Sequence, residues 1–455
     1  MIKFPVIECN GKKLSLLALS LPIYFEVIGN RIMGFVQSAL SAHFMDGFFV
    51  IPINLAATAI DIYTAVLALV TTGLSIVLSI YLGKENKKDS KDIARLIGSA
   101  LSAILFLSIV IGGICFLFAE QIIGFMSNGN EQYDAYLPYA VEYFRYRVIV
   151  VALFQWYTVF TTAFRCFGKS VVGFVCATVM NVANAGLSAV VMYGIAIEKS
   201  NITFALAVAS GVALLLSAVI AVVWAIVKKI PCHIGMDVRL IKKLFATGFP
   251  ASVAIIFYSL SQLLTTTICL KLPPDAYTAK IYISQVVVFV YQFGYAVGQA
   301  NSILIGYLCG MGKLDEANKM QMNNMKIILI CNLFLSVLFA LFSKVILTVF
   351  FNASKEVLAY AIWIFWIDVF VEFGRGMNHA GQFGLNAAGD VHFTTIVSSL
   401  GCWIASVGLS FVFVYFTPLG LYGIWISFAL DENFRGWLYF FRWKTGAWRK
   451  KVQKI

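Results

Sequence analysis

The chain has 455 residues, of which 60% are hydrophobic and only 12% charged, with a mean hydropathy of +0.86. Soluble domains carry about 25% charged residues, so this composition excludes an ordinary soluble enzyme and places the chain in a lipid bilayer. The net charge of +12 would suggest nucleic acid in a soluble protein; here its distribution along the chain accounts for it.

Twelve apolar segments are long enough to cross a membrane, near residues 14–40, 48–82, 93–118, 137–163, 171–194, 201–227, 244–270, 279–308, 322–350, 357–384, 393–416 and 422–443. Alternating ten-residue strands of a β-barrel are absent from the sequence. The first segment follows Lys12 and Lys13; it is too long for a signal-peptide core and has no small-residue cleavage site, so an uncleaved first membrane helix is expected. With the N-terminus placed in the cytoplasm, about 25 of the 34 Lys and Arg fall in cytoplasmic loops and tails, among them Lys84, Lys87, Lys88, Lys91, Lys228, Lys229, Lys242, Lys243 and Arg449 to Lys451. About five fall opposite (Lys199, Lys271, Lys280, Lys344 and Lys355), and Arg31, Arg145, Arg147 and Arg375 lie within helices. This asymmetry puts both termini in the cytoplasm of a multi-pass inner-membrane protein and removes any need for a nucleic-acid partner.

The two halves repeat. Leu21-Pro22 recurs as Phe249-Pro250 after 228 positions, Tyr81-Leu82 as Tyr307-Leu308 after 226, and Leu187-Ser188-x-Val190-x-x-Tyr193 as Leu409-Ser410-x-Val412-x-x-Tyr415 after 222. Six helices per half return the chain to the same side, so the repeats are parallel and a substrate site is expected between them. The expected fold is therefore all-α and polytopic, with two pseudo-symmetric six-helix bundles: an N-terminal lobe over 1–227, a cytoplasmic linker over 228–243, a C-terminal lobe over 244–443 and a basic tail over 444–455.

Polar groups inside these spans are the candidate functional residues, since a charge at the bilayer centre costs about 2.5–3.5 kcal/mol on insertion scales. On the first helix Glu26, Asn30, Gln37 and Ser41 share a face; an arginine of another helix is the alternative partner for Glu26. Asp61 stands alone on the second helix as candidate lining. Glu142 and Arg145 are spaced for a pair on the fourth. Asn181, Asn184 and Gln262 read as interhelical contacts. On the eighth, Gln285, Gln292 and Gln299 recur every seven residues beside Tyr291. The strongest stripe is on the tenth, where Asp368, Glu372, Arg375 and His379 stack on one face, with Asn378 nearby. Asp368 and Glu372 repel one another and Arg375 attracts both. They are expected to face a wettable chamber and to bind a proton or Na+, with Glu372 the first choice, Asp368 the second and Glu26 a further contributor. His379 is the side chain whose ordinary titration lies nearest neutral pH. Trp437, Trp443 and Trp448 read as an interfacial anchor. The nine cysteines are scattered singly and read as apolar filler. No P-loop, HExxH or GxSxG occurs, so neither ATP nor hydrolytic chemistry is indicated and no cofactor is expected.

Several short pieces in order carry a family resemblance: Leu21-Pro22 with Glu26, Gly34-x-x-Gln37, Tyr81-Leu82-Gly83-Lys84-Glu85-Asn86, Glu372-x-Gly374-Arg375-x-x-Asn378, Asn386-Ala387-Ala388-Gly389-Asp390-Val391, Asp431-Glu432-x-x-Arg435-Gly436 and Arg442-Trp443-Lys444-Thr445-Gly446-Ala447-Trp448. Together they resemble the multidrug and toxic compound extrusion (MATE) family, in its prokaryotic branches, over essentially the whole chain. The resemblance implies a V-shaped pair of bundles that alternates between outward- and inward-open states. It also implies export of small cationic or amphipathic compounds against a proton or sodium gradient. The family commonly has an aspartate where Gln37 stands, and an amide cannot carry a proton in the same way. On this reading the substrate cavity comprises Asn30, Gln37, Asp61, Gln285, Tyr291, Gln292, Arg375 and Asn378, and the protein works as a monomer in the bilayer. A flippase for lipid-linked sugars is the nearest alternative, with a membrane enzyme or receptor behind it.

Overall fold

The computed structural model describes residues 6–9, 12–42, 44–45, 48–84, 89–127, 135–195, 197–233 and 235–452. Lys87, Lys88 and the Glu85-Asn86 end of one family motif lie outside them. Within the described residues the chain is helical apart from one short hairpin. Strands β1 (Val6–Cys9) and β2 (Lys12–Ser15) pair antiparallel, with Ile7 opposite Leu14. Both of these side chains are buried.

The helices are α1 (Leu16–Ala42), α2 (Val50–Lys84), α3 (Asp89–Leu117), α4 (Ala119–Ser127), α5 (Leu137–Phe154), α6 (Tyr157–Cys166), α7 (Val171–Ala189), α8 (Ile202–Val227), α9 (Val238–Cys269), α10 (Pro274–Gly310), α11 (Leu314–Phe351), α12 (Lys355–Ala387), α13 (Val391–Gly401), α14 (Leu409–Phe416), α15 (Gly420–Lys444) and α16 (Arg449–Val452). Among the described residues ten helical segments are apolar and long enough to cross a membrane, and α5 with α6 makes an eleventh, bent by 49°. Helix α15 has 25 residues but fails the apolar criterion because it carries Asp431, Glu432, Arg435, Arg442 and Lys444.

Local chemistry sets several of these boundaries. Ser354 caps α12 by accepting a hydrogen bond from the Val357 amide at 3.2 Å. Asn352 ends α11 in the left-handed region, and Gly389, at φ +83°, turns the chain between α12 and α13. The break between α5 and α6 contains neither Pro nor Gly. There the Trp156 indole N–H donates to the Leu153 carbonyl at 2.7 Å, the carbonyl that an unbroken helix offers to the Tyr157 amide. In the segment before α9, Asp237 Oδ1 accepts from the Arg239 amide at 2.9 Å, and the Arg239 guanidinium holds its carboxyl below the usual range.

The chain divides into two compact units. One comprises Phe25–Leu78 and Asn86–Phe249; the other comprises Met1–Tyr24, Ser79–Glu85 and Pro250–Ile455. Their boundaries therefore fall inside α1, α2 and α9 and not in the loop over 228–243. In the first unit α7 packs on α8, and α5 on α8 and α3, around Tyr157, Phe164, Val172, Cys176 and Leu214. In the second, α12 packs on α10, α11 and α15, around Ile283, Ile364, Phe365, Val371 and Trp425.

Three local expectations are corrected. Arg145 does not pair with Glu142: it reaches Glu120 on α4 at 3.1 Å, and Glu142 accepts instead from Thr203 at 2.7 Å. Trp443 and Trp448 are no interfacial anchor. They are buried and stacked on one another with centroids 4.2 Å apart, because each indole N–H finds an internal acceptor, Asn318 Oδ1 and the Trp443 carbonyl. Arg165, which falls in the cytoplasmic share of the charge count, lies on α6 with its side chain turned inward onto Glu26.

Candidate functional site: an acid-rich network inside the second unit

The α12 stripe folds into the interior of its unit. Glu372 is completely enclosed and Asp368 is 3% exposed. Glu372 Oε1 meets Arg375 Nη1 at 2.5 Å, and its Oε2 accepts from Asn332 Nδ2 of α11 at 3.2 Å. Asp368 Oδ1 accepts from the Trp425 indole of α15 at 3.1 Å. Arg375 also donates through Nε to Glu432 Oε1 of α15 at 3.2 Å, with its guanidinium 5.2 Å from the Tyr291 ring centroid. Asn378 Nδ2 donates to Glu432 Oε2 at 2.5 Å. Arg435 holds Asp431 with two bonds of 2.8 and 2.6 Å and reaches Glu432 at 3.2 Å.

Three carboxylates and two guanidiniums thus share one enclosed network, with side-chain exposures of 11% for Arg375 and 5% or less for Glu372, Asp431, Glu432 and Arg435, and Asp368, one turn from Glu372 on α12, adds a fourth buried carboxylate beside it. Fully ionised, the set carries two surplus negative charges. Enclosed charge is tolerated only where it is paired, so closing this set off from water leaves up to two negative charges to be neutralised. Three polar atoms around it are buried with no hydrogen-bond partner: Asn332 Oδ1, Asn378 Oδ1 and His379 Nδ1. The two amide oxygens are further acceptors available to an ion or a proton donor.

The enclosure of Asp368 and Glu372 by Trp425, Asn332 and Arg375 differs from the expectation that they look out on a wet chamber. Of the other residues read from the sequence, Arg375, Asn378 and Tyr291 join the network. Gln292 is buried on α10 and Gln285 half-buried. The remaining four lie in the first unit. Glu26 is paired with Arg165 of α6. Asn30 accepts from Asn181 Nδ2 at 2.6 Å. Gln37 Oε1 accepts from Asn184 Nδ2 at 3.0 Å, and Asn184 Oδ1 in turn accepts from Ser210 at 2.9 Å. Asp61 is exposed on α2, on the same face as exposed Asn54 and Thr58. Asp431, Glu432 and Arg435 were legible only as a motif; three ionisable residues within five positions of an apolar helix are the signal that marks them as part of the site.

The MatE family model matches residues 22–190 and 250–415, one stretch in each half. This chain belongs to the MATE family of transporters. It is a multi-pass membrane protein, and its family is one of transporters and not of enzymes. It is 26% identical over 450 residues to the "Uncharacterized transporter YisQ" of Bacillus subtilis, covering 97% of this chain and 96% of that one. It is 23% identical over 400 residues to the "Probable multidrug resistance protein YoeA" of the same organism, covering 84% of each. Among solved structures, MATE in the bent conformation superposes with a TM-score of 0.86 at 14% identity over 96% of both chains. The outward-facing conformation of a multidrug resistance MATE family transporter superposes with 0.83, also at 14% identity, over 97% of this chain and 96% of that one. These likenesses bear out the all-α, two-bundle fold expected from the repeat.

Proposed function

We propose that this transporter exports small cationic or amphipathic compounds by antiport, with H+ or Na+ as the coupling ion bound at the Asp368–Glu372 end of the enclosed network. The observation that carries this reading is the surplus of two negative charges among Asp368, Glu372, Asp431, Glu432, Arg375 and Arg435. A ligand shifts a conformational equilibrium only through unequal affinity for the two states. Ion entry neutralises the carboxylates and loosens their hold on Arg375, which links α12 to α15 and faces Tyr291. Net charge thereby becomes helix packing, and packing biases the alternation between inward- and outward-open forms. Asn30 and Arg31 are exposed in the middle of α1, and Asn54, Thr58 and Asp61 in the first third of α2. Such groups in the hydrocarbon zone require water, which supports a polar substrate path along this face. The name given to YoeA agrees with a multidrug role. The charge asymmetry supports an inner-membrane protein with both termini cytoplasmic. A flippase holding pyrophosphate would need surplus arginine, and this network has the reverse balance.

The test is efflux from proteoliposomes under a separately imposed pH or sodium gradient. Wild type responds to one gradient; Glu372→Gln loses the gradient-dependent component at normal expression and folding. Wild-type rates in that variant would remove Glu372 from coupling.

A further inference from the structure

Asn332 of α11 is completely enclosed, and its amide lies between two side chains of α12, Glu372 and His379. Its Nδ2 donates to Glu372 Oε2 at 3.2 Å. A Cβ at Gly294 of α10 would stand 3.0 Å from Asn332 Nδ2, 3.3 Å from Asn332 Oδ1 and 3.3 Å from His379 Nδ1, so both ends of the amide and the ring nitrogen surround one point on α10. Asn332 Oδ1 and His379 Nδ1 are both buried with no partner. With the neutral imidazole carrying its proton on Nε2, both atoms are acceptors, and nothing draws them together. Each leaves a desolvated lone pair unpaid. The charged groups whose fields reach His379 are Glu432 and Arg435 of α15 and Arg375 of α12; those that reach Glu372 are Arg375, Asp368 and Glu432. Helix α10 adds Tyr291, against Arg375, and Tyr295, edge-on to His379 at 6.0 Å.

One proton resolves both deficits. When Glu372 Oε2 takes a proton from hydronium, an O–H bond forms on the carboxyl, one breaks on the donor, and water leaves. That oxygen then needs an acceptor in place of a donor. Half a turn of the amide about its Cβ–Cγ bond brings Asn332 Oδ1 to Glu372 and Nδ2 toward His379 Nδ1. The two ends of an amide have nearly the same shape, and Gly294 puts no side chain in the way. We propose that Asn332 is a two-position amide, donating to Glu372 when that carboxyl is ionised and to His379 when it is protonated. The device rests on Glu372 being the coupling site, as proposed above, and makes the ion there H+, which needs a single acceptor where a hard metal ion gathers several oxygens. It carries the charge state of an enclosed acid to His379, a side chain that is only half-buried. His379 acts through Asn332 as a positioning residue, by accepting a hydrogen bond and not by titrating.

The experiment is infrared difference spectroscopy of the purified full chain in lipid vesicles, titrated in pH without substrate. On acidification wild type is expected to gain a protonated-carboxyl band that Glu372→Gln lacks. In step with it, one asparagine side-chain carbonyl band is expected to shift, a change that Asn332→Leu lacks. His379→Leu removes the acceptor of the protonated arrangement, so half-development of the carboxyl band is expected to need about fivefold more protons, the equivalent of one ordinary hydrogen bond of about 1 kcal/mol. His379→Asn keeps an acceptor at the place of Nδ1 and has no titrating ring; its midpoint is expected to match wild type. A carboxyl band with no accompanying asparagine change overturns the proposal, and this is read in wild type whatever the variants do. An unmoved midpoint in His379→Leu, or a displacement in His379→Asn as large as in His379→Leu, overturns it too. So does the absence of any Glu372-dependent carboxyl band. In that last case efflux judges the coupling site separately: sodium-driven efflux that is lost in Glu372→Gln keeps Glu372 as the coupling residue without the amide device.

Discussion

The two units solve the same problem, ionisable groups inside a membrane protein, in opposite ways. In the first unit a half-buried acid, Glu26, is balanced by one base, Arg165, beside a small chamber. The second encloses four acids with two bases and fills the space around them with asparagine, tryptophan and tyrosine. The contrast shows that burial alone does not mark a coupling site. A balanced pair is a stable arrangement that asks for nothing, whereas an unbalanced network must acquire positive charge whenever it is closed off from water.

That contrast can be broken most sharply at Arg435. It holds Asp431 and Glu432 together, so Arg435→Ala raises the enclosed surplus from two charges to three. Breaking a buried pair costs about 3–5 kcal/mol, and the expected outcome is failure to accumulate folded protein, read by size-exclusion chromatography in detergent. The reciprocal change in the first unit is milder. Glu26→Gln leaves Arg165 unbalanced beside a polar chamber and should lower stability by about 2–3 kcal/mol. Removing both charges in Glu26→Gln/Arg165→Gln should restore most of the lost Tm, and a double variant no more stable than the single would show that the pair does not act as a balanced unit. Asp368→Asn removes one surplus charge and keeps an acceptor for the Trp425 indole, so Tm should hold or rise while gradient-driven efflux falls. A fall in Tm of several degrees would contradict the idea that this network carries an excess.

The smallest expected effect lies outside both networks. The carboxyl of Asp237 is held below its ordinary value of 3.8, mainly by hydrogen bonding to Arg239. A group whose folded value is depressed contributes stability that is present in full above its unfolded value and is lost as pH falls through the folded one. The stability difference between Asp237→Asn and wild type should therefore be full above about pH 4 and shrink to nothing as pH falls through the lower folded value. Wild-type behaviour across the whole range would remove Asp237 as a useful cap for α9.

Much of this was legible in the residues themselves. Twelve apolar runs announce twelve passes, and the recurrence of Leu21-Pro22 as Phe249-Pro250 announces two halves. The i, i+3 spacing of Glu372 and Arg375 announces their pair. Other features were not legible, for physical reasons. The partner of Glu26 is Arg165, 139 positions away, and no local spacing reports such a contact. The stacking of Trp443 on Trp448 depends on an acceptor in α11, so two aromatic residues among basic ones read as a surface anchor. The β1–β2 hairpin rests on four-residue strands and the burial of Ile7 and Leu14, too little pattern to stand out before a long helix. Apolar character alone predicted an unbroken fourth span, because one indole hydrogen bond at Trp156 has no signature in hydropathy.

The central claim is that the surplus acids of the second unit are where the driving ion is held. Its most direct test is substrate efflux from proteoliposomes holding wild type or Glu372→Gln, driven in turn by a pH gradient and by a sodium gradient. The account predicts that one gradient accelerates wild-type efflux and that Glu372→Gln, folded and inserted normally, shows no acceleration under either. Equal acceleration in the two proteins would contradict it.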